Sequence, residues 1–520
     1  MHVSPSSSAG RFQNHLRRSE MTSIEAPSAS RTSPSGSPPK PPSDYDAIVV
    51  GSGLGGLVSA AILSKEGRRV LVVETADRVG CVGGSIDYQG YWLPWVRNWE
   101  TGYGNGDIFL MMGRNELFTL EAARRAGAEI ELLRQDVAMR VHLTPDGRER
   151  GPILLYDDQD PESLLRFGTE FLGMAPERLP RFQEEMGKLA TLDAEENREL
   201  TFDEYLPAIP EEEIRAAIST LATIQWSIPS GETSVGRYAS FLRGGITSWR
   251  ANDAEVGGMQ GLMEPFARVI RARGGEILLG RHCLEITVEG GAVAGVVVQD
   301  KSTIVTQFRS SNVICNHLPW QLFELVDESL FPDPFVRNAW ALRDYSGDTA
   351  CMNIGLGKLP TRRADGEVED QAVWNRIVLG PERDYMSGWY IPSMIEEKSA
   401  PEGKHLMVIG WATSGPASPV HRPFASFAEA KGKLDRVLAY ARGFYEDLED
   451  CIEWRNYKWC KAPSCAGYYW KKTSRAPVAA PSVDGLFLVS NAAEVEGIYQ
   501  DIEAHAGIQA ADRVLSRTAS

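Results

Sequence analysis

Three glycines, Gly51, Gly53 and Gly56, stand in the run Gly51-Ser52-Gly53-Leu54-Gly55-Gly56 at a spacing that lets a backbone wrap an anion. In such a turn the first glycine permits the tight reversal and the second lets the backbone approach a pyrophosphate. The third lets the next helix pack on the preceding strand while its free N–H groups and dipole face the anion. Glu74 lies 18 residues beyond Gly56, where a carboxylate accepts hydrogen bonds from both hydroxyls of a ribose. The same charge repels a 2′-phosphate, which disfavours NADP. Together these residues bind a dinucleotide. A second glycine-rich run, Asp77-Arg78-Val79-Gly80-Cys81-Val82-Gly83-Gly84-Ser85, falls where another loop would close over the pyrophosphate. NAD enzymes rarely need that loop, so FAD is the expected cofactor, with Thr75 beside Glu74 included in its site.

The elements that must position these residues are legible nearby. Ala47 to Val50 reads as a buried parallel strand, Leu57 to Lys65 as a helix, and Arg69 to Val73 as a second strand ending at Glu74. The weakly polar stretch from Ala47 to Leu63 approaches the length of a membrane span. Its four glycines, and its division into a β-branched half and an Ala/Leu half, argue against one.

The 520 residues, 43% hydrophobic and 24% charged, suit a soluble globular protein of two to four domains or one large two-lobed enzyme, and exclude both a disulfide scaffold and wholesale disorder. A net charge of −16 without a concentrated basic patch makes nucleic acid an unsuitable partner. The seven cysteines are scattered and read as reduced thiols in a cytoplasmic protein. His142, His282, His317, His405 and His421 share no metal-ligand spacing, so no metal is expected. Residues 1–43 hold 12 Ser and 7 Pro against two acids, Glu20 and Glu25, and are expected to be disordered. An organellar transit peptide is the weaker reading, because Arg11, Arg17, Arg18 and Arg31 form no amphipathic stripe. Met21 serves equally well as a start, and no secretory signal is visible.

Past the two glycine loops the chain resembles the flavin-dependent phytoene desaturase, carotenoid isomerase and retinol saturase family, which is related to flavin amine oxidases and to GDI proteins. The blocks that carry the likeness are Gly257-Gly258-Met259-Gln260-Gly261-Leu262 with Gly274 to Ile277, and Cys283-Leu284-Glu285-Ile286 with Gly295 to Val298, leading to Val313-Ile314-Cys315-Asn316. Asp484 to Val489, Gly497 and Ala506 to Ala511 complete it. The resemblance implies an α/β fold with a discontinuous, Rossmann-like FAD domain of the glutathione-reductase type, formed by 44–106, 252–318 and 482–520. A mixed α+β substrate lobe would be formed by 107–251 and 319–481. It adds Cys283, Leu284, Asn491, Gly497 and Ile498 to the cofactor site. Two departures stand out. The usual double glycine is Gly80-Cys81, with Gly83-Gly84 three residues on, and the small Gly-Asp pair after the last strand is Ser490-Asn491.

The resemblance further implies desaturation of an apolar, carotenoid- or isoprenoid-like substrate by hydride removal. A redox-neutral isomerase or hydratase, a saturase, and a non-enzymatic GDI-like lipid escort are the alternatives. Oxygen or a quinone is the expected electron acceptor, and peripheral contact with a membrane is kept as an expectation. Two stretches are candidates to reach the flavin. Tyr91 to Trp99 is aromatic enough to line an apolar tunnel, and Arg97 lies within it. Glu494, Glu496, Asp501, Glu503 and His505 gather five ionisable groups in twelve residues before a helix expected to face the flavin. Glu503, His505 and Asp501 are the expected acid, base or cation-stabilising groups, against the alternative of a solvated acidic loop.

Overall fold

The computed structural model describes residues 44–518 except 81–82, 94–95, 98–103, 106–109, 113–116, 136, 144–149, 157–164, 166–167, 170–172, 227, 245–246, 362–373, 379–386, 414–415, 417–421, 461–472 and 498–499. The helical pattern that the sequence shows from Pro161 to Leu172 falls on a stretch largely outside the described residues.

Five short strands rich in β-branched residues align in parallel in the order Glu276–Leu278, Val70–Val73, Ala47–Val50, Val313–Cys315, Leu486–Leu488. Their alternation decides what covers each face. Ala47, Val49, Val70 and Val72 point into a core shared with helices Leu54–Lys65, Gln260–Ala272 and Gln500–Thr518. Ile48, Val50, Leu71 and Val73 point the other way, into a core shared with an antiparallel three-stranded sheet of Arg281–Glu289, Ala292–Asp300 and Val305–Arg309. Sheet burial on both faces explains why these strands read as continuous apolar runs. This is an α/β, Rossmann-like architecture.

The helix Leu54–Lys65 begins at the second fingerprint glycine and is buried along all but its last residue, hence the weakly polar stretch in the sequence. A seven-stranded sheet stands apart from the parallel one, in the order Arg150–Tyr156, Val137–Leu143, Trp374–Val378, Ser387–Tyr390, His405–Ala412, Thr349–Leu356, Ile452–Cys460. It draws strands from both 107–251 and 319–481, and the helix Phe427–Phe444 shares a core with its 349–356 and 405–412 strands. No helix among the described residues is long and apolar enough to cross a membrane.

Candidate functional site

The glycine turn sits at the carboxyl end of Ala47–Val50, where ligands collect in open parallel sheets. Gly51 has φ +92°, a conformation that L side chains rarely adopt. Ser52 fixes the turn to the second strand: its N–H and Oγ–H both donate to Glu74 Oε2, at 2.8 and 2.7 Å. Ala76 N–H donates to Oε1 of the same carboxylate at 2.7 Å. Glu74 is 1% exposed, and three donors leave part of its lone-pair capacity for ribose hydroxyls.

Gly53, at the helix N-cap, offers no side chain to the first N–H groups of Leu54–Lys65, so partners must come from elsewhere. Asn316, directly after the Val313–Cys315 strand, supplies one: its Oδ1 accepts from Gly56 N–H at 3.0 Å, and its Nδ2 donates to Val489 O at 3.1 Å. A Cβ on Gly53 would lie 2.6 Å from that Oδ1. The second glycine is thus required by a protein side chain as well as by the ligand's approach. Gly55 is needed for a different reason, since its Cβ would lie 2.2 Å from Val489 O and 3.0 Å from Glu503 O. Leu54 is fully buried in the core.

The second glycine loop is tied to the first, with Gly80 N–H donating to Ser52 O at 2.9 Å and Gly83 and Gly84 N–H donating to Gly80 O. Its glycines admit the Gln260–Ala272 helix: a Cβ on Gly84 would stand 2.6 Å from Gln260 Oε1, and one on Gly80 2.8 Å from Met263 Cγ. Ser85 Oγ accepts from Met259 N–H at 3.0 Å. Thr75 is half-buried beside Glu74. Cys283 faces the core, where burial pushes its thiol up to about 12, while its neighbour Leu284 is exposed. Ile498 lies outside the described residues, and Gly497, at φ +124°, leads into the closing helix.

Two members of the acidic segment, Asp501 and His505, dock it against the helix Phe118–Ala126, while Glu494 and Glu496 are exposed. Asp501, buried, accepts from Thr119 N–H at 2.8 Å, Thr119 Oγ1–H at 2.9 Å and Phe118 N–H at 3.3 Å. It thereby caps the helix Phe118–Ala126, whose own N-cap, Leu117, has no side-chain acceptor. Burial pushes the Asp501 carboxyl above the usual range against those donors. His505 stacks on Phe118 with ring centroids 3.7 Å apart, gives Nδ1–H to Glu496 O at 3.0 Å and receives Gln509 Nε2–H at 3.2 Å. Glu503 turns toward the glycine turn, its Oε2 3.5 Å from Gly55 N. Arg97 lies on the short strand Val96–Arg97, and its side chain is outside the described residues.

Asn316, Gln260 and Lys458 were not singled out from sequence. Asn316 had one legible signal, its place one residue past the carboxyl end of a parallel strand. Lys458, opposite Cys351 in the seven-stranded sheet, is held below the ordinary lysine range by burial, with Arg78 of the second glycine loop adding to the shift. Among the described residues no cluster of His, Cys, Asp and Glu is arranged to hold a metal. A surface cleft of about 650 Å³, walled by Asp484, Arg513 and Arg517, opens at the amino ends of the parallel strands, away from the glycine turn.

The model of flavin containing amine oxidoreductases matches residues 54–515. The chain belongs to that family. Its cofactor is FAD, and observations within the fold fit that group: Asn491, 7% exposed three residues past the Leu486–Leu488 strand, has a side-chain oxygen with no hydrogen-bond partner among the described residues, and the Gly51 turn and the Glu74 carboxylate stand on neighbouring strand ends. Among relatives, the chain is similar to a chloroplastic prolycopene isomerase of Daucus carota, with 23% identity over 408 residues covering 70% of this chain and 61% of that protein. It is also similar to a neurosporene-forming phytoene desaturase of Cereibacter sphaeroides, with 24% identity over 320 residues covering 58% and 60%. The chain thus spans about three fifths of each relative's length. A putrescine oxidase variant shares the fold, with TM-score 0.59 at 15% identity over 91% of this chain and 99% of that one.

Proposed function

We propose that this FAD-dependent oxidoreductase acts on a CH–CH bond of an apolar, polyene- or isoprenoid-like substrate, in the direction of desaturation. The observation that carries the reading is the junction of an FAD cradle with an aromatic wall. Tyr91 and Leu93 are buried and Trp92 half-buried immediately past the second glycine loop, and a Cβ on Gly257 would lie 2.5 Å from Trp92 Cδ1. Bound FAD supplies the hydride acceptor. Gly51, Ser52, Gly53 and Leu54 shape the pyrophosphate seat, Glu74 takes the adenosine ribose, and Asn491 meets the polyol chain or phosphate. Lys458, desolvated and electrostatically coupled to Arg78, suits the removal of the proton that leaves with the new double bond. The acidic segment holds the flavin-facing helix in place, with Asp501 and His505 acting as positioning residues. Oxygen or a quinone is the final acceptor, and peripheral contact with a membrane delivers the substrate.

The similarity to prolycopene isomerase supports a second reading, a redox-neutral rearrangement of the same substrate class. Product mass separates the two: desaturation removes two hydrogens, isomerisation none, and saturation adds two. A loss of two hydrogens from a phytoene-like polyene is expected from the FAD-loaded protein. Lys458→Met is expected to lower turnover by about 10²- to 10⁴-fold while FAD content stays the same. An unchanged product mass, or full turnover by the variant, overturns the corresponding assignment.

A further inference from the structure

Arg237 lies outside the cradle, at the start of the helix Val235–Gly244, and is 9% exposed. A guanidinium buried this far normally has its donors met, because an unmatched charged donor in the interior is costly. Here Nε has no acceptor among the described residues. Among the described residues its one ion pair is Nη1 to Glu195 Oε1 at 3.4 Å, long for a charge-assisted hydrogen bond, and the Glu195 side chain is 60% exposed. Two arginines lie beside it: Arg198 Nη1 donates to Ser474 Oγ at 3.2 Å, and Arg475 Nη1 donates to Val495 O, while Arg475 Nε, like that of Arg237, meets no acceptor among the described residues. Burial holds Arg237 below the ordinary arginine value. The like charges of Arg475 and Arg198 act in the same direction, and Glu195 and Glu494 oppose them.

The surroundings indicate what is missing. Arg475 and Glu494 belong to two paired segments, in which Ala476 N–H donates to Ala492 O and Glu494 N–H donates to Ala476 O, and the second of these runs into Gly497 and the closing helix. Val235, Tyr238 and Phe241, on the helix that carries Arg237, share one core with Phe487, Val489 and Ile502 of the FAD domain. The unmet guanidinium therefore stands between the helical part of the substrate lobe and the chain that leads to the flavin. Its planar Nε/Nη2 fork matches a carboxylate bidentately. A carboxylate would bring one negative charge to a guanidinium already acted on by Glu195 and Glu494, whereas a dianion would bring a second that repels both carboxylates.

We propose that Arg237 binds the carboxylate end of an otherwise apolar substrate. The apolar body rests on the reading under Proposed function, while the carboxylate rests on Arg237 alone. The test is calorimetric titration of the FAD-loaded protein with retinoic acid, retinol, methyl retinoate and acetate, with the flavin spectrum recorded alongside. Retinoic acid is expected to bind about ten- to a hundredfold more tightly than the alcohol or ester. Arg237→Met should erase that preference, and Glu195→Gln, which removes the competing carboxylate, should enlarge it. Acetate should bind far more weakly than the long acid.

Equal affinity of the wild-type protein for acid, alcohol and ester overturns the proposal without recourse to any variant, as does a preference that survives in Arg237→Met. Acetate binding as tightly as retinoic acid overturns it too, in favour of a free small carboxylate. If the acid is preferred and Arg237→Met abolishes the preference while the flavin spectrum stays unperturbed, the carboxylate seat stands and the reading of a substrate beside the flavin fails.

Discussion

Glu503 shows how one side chain can oppose the site it borders. Its carboxylate lies 3.5 Å from Gly55 N, at the helix end whose N–H groups and dipole favour a phosphate. Two negative groups a few ångströms apart near a protein surface repel by about 1 kcal/mol or more. Glu503→Gln is therefore expected to tighten FAD binding about fivefold, measured by titrating the apoprotein with FAD; unchanged or weaker binding contradicts this placement. His317, next to Asn316, sets an acid limit on the same strand end. Burial lowers it from 6.5 to about 4, with His282 adding to the shift. The folded protein keeps this ring neutral while the unfolded chain takes up a proton, so the contribution to stability is complete above about pH 6.5. It is lost progressively as pH falls toward 4, with a ceiling of about 3 kcal/mol. Acid unfolding curves of wild type and His317→Gln should converge below pH 6.5, where the wild type loses its excess; parallel curves across that window would remove His317 from the account.

At the scale of elements, the site depends on how closely the fingerprint helix and the closing helix cross. Ser59 Oγ spans the crossing, donating to Gly55 O at 2.7 Å and lying 3.1 Å from Gly507 O. A Cβ on Gly507 would stand 2.6 Å from Gly55 O and 3.0 Å from Val58 Cβ. Gly507→Ala is expected to force the helices apart, costing about 1–3 kcal/mol and weakening FAD with it. Asp501→Ala serves as a contrast, because it removes a cap from Phe118–Ala126 without touching the crossing. About 1–2 kcal/mol should be lost there while FAD affinity holds. Thermal melts and FAD titrations of the pair separate the two effects, and matched losses of FAD affinity would show that the cap also shapes the cradle. The Arg125–Asp512 ion pair joins Phe118–Ala126 to the closing helix farther along.

Across the whole molecule, what was legible in the sequence was whatever a short local pattern encodes. The run from Ala47 to Glu74 announces strand, turn, helix, strand and ribose acid because each needs only near neighbours. The observed hairpin at 281–300 and the strand Leu486–Leu488 fall in blocks that the family resemblance, not a local pattern, picked out. Contacts that join distant positions were not legible. Asn316 meets Gly56 across 260 residues, Asp501 meets Thr119 across 382, and Gln260 fills the space that Gly84 leaves. No periodicity marks such pairs. The density of the acidic segment was visible in the sequence, while the helix end that Asp501 caps was not. The most direct test of the central claim is anaerobic mixing of the FAD-loaded protein with a phytoene-like polyene, following the flavin's visible absorbance together with the product. Bleaching of one flavin for each double bond formed is expected; product that accumulates while the flavin stays oxidised would contradict a hydride-transfer enzyme.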